Sequence, residues 1–245
     1  METNKIKKHF DRDGYVYLPG FLSQENVETI LTKLSAVIAE KVQTMPSQHV
    51  KYEDTGDLST LKMLQDLQVY DPFFADILFD STFTRLAEVL LEEKVTGKTL
   101  EYFNKPPRIG KATPPHQDGY YFMLEPMRAV TMWMALEEVD RENGWVSYVK
   151  GSHKKGMRPH IATNTLGFSQ GIADFGLKSD LDNEVFFPAK PGDLLVHHAL
   201  TIHRASQNTS LTRTRKAMGL IYFGVSAKED VAAKEAYVAS LNKQP

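Results

Sequence analysis

The second half of this chain is cut into runs too short for helices and too regular for coil. Thr99 to Phe103, Arg128 to Leu136, Trp145 to Val149, Glu184 to Phe187, Asp193 to Val196 and Ala217 to Val225 read as strands separated by Gly, Pro, Asn and Asp. Runs of this kind close into a barrel or a double sheet. Alternation divides one of them into two faces: Val130, Met132, Met134 and Leu136 predict core, while Thr131, Trp133 and Ala135 can line a cavity.

Before Gly97 the pattern is mainly helical. Ile6 and Phe10 mark a short helix ending at Asp13-Gly14, Tyr15 to Leu18 a strand stopped by Pro19-Gly20, and Ser23 a cap for a helix with one apolar stripe from Val27 to Val42. Pro46 to Ser59 is polar and aperiodic, a loop. A further helix carries Phe83, Leu86, Ala87, Leu90 and Leu91 behind Ser81 or Thr84, with Gly97 beyond its end. No linker or repeat divides the 245 residues, so they read as one domain: a helical part over about 1–97 and a β core over about 98–226. Residues 151–183 interrupt that core. The segment has Ile161, Leu166, Phe168, Ile172 and Phe175 to bury, which predicts a lid.

Composition narrows the chemistry. The chain has no cysteine, which excludes disulfides, thiolate metal sites and cysteine nucleophiles, so any metal must be held by histidine, carboxylate or water. A formal net charge of −2 gives no electrostatic reason to expect nucleic acid or an anionic membrane as partner. No window reaches the roughly 18 apolar residues of a membrane span, and the opening residues lack a secretory apolar run, so a cytoplasmic protein is expected.

The stretch Pro114-Pro115-His116-Gln117-Asp118-Gly119 stands out against this background. On extended backbone, side chains two apart share a face, so His116 and Asp118 can present an imidazole and a carboxylate to one point. A second histidine from a distant strand would complete the two-histidine, one-carboxylate face that binds non-haem iron(II), and His203 is the candidate. His197 and His198, at the end of the Leu194-Leu195-Val196 strand, are core histidines, supporting donors or rival ligands. His49, His153 and His160 fall in loops. Farther on, Arg213 and Arg215 share a strand face, and either guanidinium could fork onto a dicarboxylate.

At these residues the sequence resembles the phytanoyl-CoA dioxygenase family of iron(II)/2-oxoglutarate oxygenases. The likeness runs in order through Phe10-Asp11-Arg12-Asp13-Gly14-Tyr15-Val16, Pro19-Gly20-Phe21-Leu22, Asn104-Lys105-Pro106-Pro107, His116-Gln117-Asp118, Asp140-Arg141-Glu142-Asn143-Gly144, Lys150-Gly151-Ser152-His153-Lys154, Gln207-Asn208 and Arg215-Lys216-Ala217. It implies a mainly β fold with flanking helices around a double-stranded β-helix, the jelly-roll or cupin-like core. It further implies His116, Asp118 and His203 as catalytic iron ligands, with 2-oxoglutarate as cosubstrate, O2 as oxidant, and succinate and CO2 as coproducts.

By the same resemblance Arg215 binds the distal carboxylate of 2-oxoglutarate. The interval after His203 is one residue longer than the family's, which keeps Arg213 in view. Trp133 and Lys62 are implied beside the cosubstrate. Ala205 stands where the family has serine, with Ser206 next to it, and Asn208 belongs to a turn. A carboxylate at Asp118, where halogenating relatives have a small residue, favours hydroxylation of an unactivated C–H of a small molecule. Lys154, Lys155, Arg158 and His160 read either as a solvated charge run or as contacts for an anionic substrate. A jelly roll with a structural or ligand-binding divalent metal is the competing reading, and it has no use for Arg215.

Overall fold

The structure, a computed structural model, describes residues 2–241. Helix α1 (Glu2–Asp13) delivers β1 (Tyr15–Leu18) through Gly14, whose φ of +85° and close approach to His153 and Thr201 leave no place for a Cβ. Helix α2 (Gln24–Glu40) begins at Ser23, whose Oγ accepts from the Asn26 N–H, and buries Val27, Ile30, Leu34 and Val37. Strands β2 (Val50–Tyr52) and β3 (Leu61–Leu64) follow, then α3 (Leu67–Tyr70), α4 (Pro72–Phe79) and α5 (Thr82–Leu91). Asp71 and Ser81 cap the last two through the N–H groups of Phe73 and Phe83.

The β-rich part comprises β4 (Val95–Lys105), β5 (Thr113–His116), the short α6 (Gly119–Phe122), β6 (Leu124–Glu125), β7 (Ala129–Ala135) and β8 (Val146–Val149). It continues with β9 (His160–Thr165), β10 (Phe168–Ile172), α7 (Lys178–Leu181), β11 (Glu184–Phe187), β12 (Leu194–His198), β13 (His203–Ala205), β14 (Arg215–Gly224), β15 (Lys228–Glu229) and α8 (Val231–Leu241).

Two antiparallel sheets form the jelly roll. The larger runs β1-β12-β7-β14-β4-β3-β2, and the smaller β11-β8-β13-β5. One face of the larger sheet carries Leu100, Tyr102, Val130, Met132, Met134, Leu194, Val196, Met218 and Leu220 into a core shared with α2, α4 and α5. The other face carries Trp133, Ala135, Leu195 and Ala217 toward Val146, Tyr148 and Ala205 of the smaller sheet. The alternation expected in β7 is therefore present. Ala135, Ala205 and Ala217 keep the facing surfaces of the two sheets small, and Gly219 makes room for the Phe103 ring.

Three features differ from the sequence reading. Beyond the expected strand β1, the first 97 residues also supply β2 and β3 to the larger sheet, and β2 lies inside the expected 46–59 loop. Gly97 sits within β4, where a Cβ would collide with Leu78 of α4. Residues 151–183 hold the β9–β10 hairpin and α7, and Ile161 and Leu166 are exposed instead of buried. Among the described residues no helix is long and apolar enough to cross a membrane.

Candidate metal centre and its cavity

His116 closes β5 and His203 opens β13, and the two are direct partners in the antiparallel register. Asp118 is not on extended backbone as its spacing suggested. Its φ of −59° and ψ of −32° begin the turn into α6, whose Tyr121 and Phe122 N–H groups donate to the Asp118 carbonyl. The intervening Gln117 turns away, donating to the carbonyls of Leu200 and Gly156 and accepting from the Arg158 N–H. The ligand-type atoms of His116, Asp118 and His203 lie within 4.8 Å of one another. Asp118 Oδ1 is 3.4 Å from His116 Nε2 and 3.5 Å from His203 Nε2.

Hydrogen bonds fix the donor state of each candidate ligand. The Nδ1–H of His116 donates to Pro114 O at 2.8 Å and that of His203 to Thr201 O at 3.0 Å, so both Nε2 lone pairs are free. Asp118 Oδ2 accepts from Thr131 Oγ1 at 2.5 Å and from His197 Nε2 at 3.0 Å, which leaves Oδ1 for a metal. Tyr148 OH donates in turn to His197 Nδ1. Burial, with His116 and His197 adding to it, holds the His203 imidazole well below its usual range, and so neutral. Burial also works against charge on Asp118, yet the imidazoles around it, His203 foremost, hold its carboxyl well below the ordinary range. Neutral imidazoles and an ionised carboxylate are the forms a cation requires.

The cluster opens on a cavity of about 430 Å³ between the sheets. At one end lies Arg215, 4 % exposed, with its guanidinium 5.4 Å from the Trp133 ring and with Nε and Nη1 lacking any partner among the described residues. Burial lowers it to about 10. Lys105 lies beside it in register, held by Lys111 O and Thr113 Oγ1, and desolvation followed by the charges of Arg215 and Lys62 pushes its amine far down. Lys62 Nζ is 3.2 Å from Glu53 Oε1, too poorly aligned to hydrogen bond. An unpartnered guanidinium beside two amines that burial and crowding push toward neutrality forms a site that an added anion would stabilise.

The family model for phytanoyl-CoA dioxygenase matches residues 10–217. The chain belongs to the phytanoyl-CoA dioxygenase family. This family member is 28% identical over 228 residues to the 1-deoxypentalenic acid 11-beta-hydroxylase of Streptomyces arenae, covering 86% of this chain and 76% of the relative. It is 25% identical over 259 residues to phytanoyl-CoA dioxygenase domain-containing protein 1 of Bos taurus, covering 89% and 88% of the two chains.

Among solved structures, the epimerase SnoN in complex with Fe3+, alpha ketoglutarate and nogalamycin RO superposes with a TM-score of 0.75 at 23% identity, over 93% of this chain and 86% of that one. EctD from S. alaskensis with bound Fe gives 0.75 at 21% identity, over 91% and 76%. These likenesses establish the jelly-roll fold.

Within this family member the residues nominated from sequence separate. Trp133, Lys62 and Arg215 line the cavity with the ligand cluster. Arg213 does not; its Nη2 is committed at the surface to Asp140 and Glu142. Asn208 is buried and donates to the carbonyls of Lys105 and Arg213, which ties the loop before Arg215 to β4. Ser206 is not part of the cavity wall, whereas Ala205 is. Arg158 is occupied by Asp174 and Asp180, and His160 accepts from the Gln117 N–H, so neither is free for an anionic substrate. Sequence reasoning passed over Lys105, Thr131 as the Asp118 partner, and Glu101. The alternation within Thr99–Phe103 was the available signal for Glu101, since Leu100 and Tyr102 take the core side.

Proposed function

We propose that this protein is an iron(II)/2-oxoglutarate-dependent dioxygenase that hydroxylates an unactivated C–H of a small molecule, releasing succinate and CO2. The observation that carries this reading is one cavity holding both a three-ligand cluster and a buried guanidinium with no anion of its own. His116 Nε2, Asp118 Oδ1 and His203 Nε2 would hold the metal on one face, the donor set of non-haem iron sites. Arg215, steadied by the Trp133 ring, would fork onto the distal carboxylate of 2-oxoglutarate, whose charge would in turn favour protonation of the crowded Lys105 and Lys62 amines. Bound iron(II), 2-oxoglutarate and O2 supply the oxidising power for C–H cleavage.

The chain's own residues orient and enclose. Thr131 and His197 keep Asp118 from rotating, and the carbonyls of Pro114 and Thr201 keep the two imidazoles in their ligating tautomer. Phe168, at the start of β10, stands with its ring 5.2 Å from that of His116, which supports a covering role for the 151–183 segment. The hydroxylase among the relatives supports hydroxylation over other oxidative outcomes.

Anaerobic ultraviolet-visible titration with iron(II) and then 2-oxoglutarate tests the reading. A metal-to-ligand charge-transfer band is expected in the wild type and is expected to be weak or absent in His116→Ala and Arg215→Ala. Metal binding without the band in the wild type would instead leave a structural or ligand-binding metal site.

A further inference from the structure

The reaction proposed above leaves one group of the cavity unused. On β4, Leu100 and Tyr102 point into the helix-packed core, while Glu101, Phe103 and Lys105 line the cavity. Lys105 lies opposite Arg215 of β14 and Glu101 opposite Gly219. Four residues of strand, about 13 Å, therefore separate the carboxylate from the cationic end where the cosubstrate would sit. Glu101 is instead one pleat from the row of Ile221, Thr131 and His197, of which Thr131 and His197 hydrogen-bond Asp118.

Glu101 is 8 % exposed, and its one hydrogen bond among the described residues is from Gln65 Nε2 to Oε1, at 2.8 Å. No cation of the cavity wall answers it. Lys62 is beside Glu53, Lys98 and Lys234 beside Glu229, and Arg204 beside Glu184. Arg215 and Lys105 belong to the far end. Burial pushes the Glu101 carboxyl up to about 7, opposed by the Gln65 bond and assisted by the charges of Asp118 and Asp66. A buried carboxylate with one neutral partner gains most from a positive charge brought beside it. The neighbouring wall is apolar, with Met63, Phe103, Phe122, Ile221 and Phe223.

We infer that Glu101, positioned by Gln65, is the substrate-recognition group of this cavity and that it receives a protonated amine carried on an apolar body. The inference rests on the oxygenase reading for the fate of the bound molecule, and on the cavity alone for its recognition. It reverses the anionic substrate that the basic residues from Lys154 to His160 had suggested.

The test is isothermal titration of the anaerobic protein saturated with iron(II) and 2-oxoglutarate, which occupies Arg215 and the open metal face, with three probes of one length: hexylamine, hexan-1-ol and hexanoate. Loading the metal removes Asp118 as a rival seat for the amine. Wild type is expected to bind hexylamine about tenfold or more tightly than either isostere. Glu101→Gln should abolish that preference, and Glu101→Asp should keep the ranking with weaker binding, their folding being checked by circular dichroism. Absence of hexylamine binding, equal or tighter binding of the alcohol or carboxylate, or a preference that survives in Glu101→Gln would overturn the inference. If Glu101→Gln does not fold, the wild-type ranking and Glu101→Asp decide. Failure of the oxygenase reading looks different: the charge-transfer band with 2-oxoglutarate would be missing while the amine preference persisted.

Discussion

His203 and His116 are directly opposed across the β13–β5 pair, so two candidate ligands remote in sequence reach Asp118 Oδ1 from adjacent strands, at 3.5 and 3.4 Å. Sheet register, which depends on many other residues, sets this arrangement. His203→Ala should therefore fold while losing roughly a hundredfold or more in iron(II) affinity, and Thr131→Val, which frees Asp118 Oδ2, should lose roughly tenfold to a hundredfold. Anaerobic calorimetric titration compares them. Wild-type affinity in His203→Ala would remove it from the ligand set.

Arg215 and Arg213 share a strand parity, and burial separates them. Arg215→Ala should abolish 2-oxoglutarate binding and leave iron(II) binding intact, because the guanidinium is in the cavity wall and touches none of the three ligands. Arg213 is more than a third exposed and its ion pairs with Asp140 and Glu142 are screened, so Arg213→Ala should change stability by less than about 1 kcal/mol and cosubstrate affinity hardly at all. Tighter dependence on Arg213 than on Arg215 would reverse the assignment.

How far the sequence was readable follows from what each inference depended on. The faces of β7 and the caps at Ser23 and Ser81 are local, and alternation or a single hydroxyl signals them. His116, Asp118 and His203 were legible as a set because their residue types are chemically narrow, although the backbone at Asp118 is a helical turn and not a strand. Alternation alone did not separate Arg213 from Arg215, which the resemblance favoured, because both share one parity and it is the acidic partners Asp140 and Glu142, from another loop, that draw Arg213 outward. Nor was the state of the basic residues at 154–160, since Arg158 is neutralised by Asp174 and Asp180 in a fold that sequence spacing does not reveal. Glu101 was hidden for the opposite reason: a glutamate in a strand looks solvated until its neighbours are known to be core.

Residues 151–183 should protect the cavity when it is filled. The β9–β10 hairpin places Gly167 and Phe168 in the cavity wall, Gln170 exchanges hydrogen bonds with Tyr121 OH, and Ser169 Oγ meets Tyr237 OH on α8. Trypsin sites at Lys154, Lys155 and Lys178 bracket the hairpin. Iron(II) plus 2-oxoglutarate should slow nicking there several-fold, as local opening becomes less frequent. Equal cleavage rates in free and loaded protein would deprive the segment of a lid role.

His198 should make stability depend on pH. Its Nδ1 accepts from the Leu200 N–H at 3.0 Å, and its ring packs against Phe10 and His153. Burial, followed by the neighbouring His153, His197 and Arg128, lowers it to about 4. The unfolded chain takes up this proton near pH 6.5 and the folded chain only near 4, so acidification between those values favours unfolding. The contribution is fully present above about pH 6.5 and is lost as pH falls toward 4, amounting to at most about 3 kcal/mol. Urea unfolding at about pH 7 and about pH 4.5 measures it, with His198→Gln as the comparison because glutamine can accept the Leu200 N–H without titrating. The variant should lose less stability between the two pH values than the wild type does. Equal losses in both proteins would mean that His198 is not held neutral by the fold.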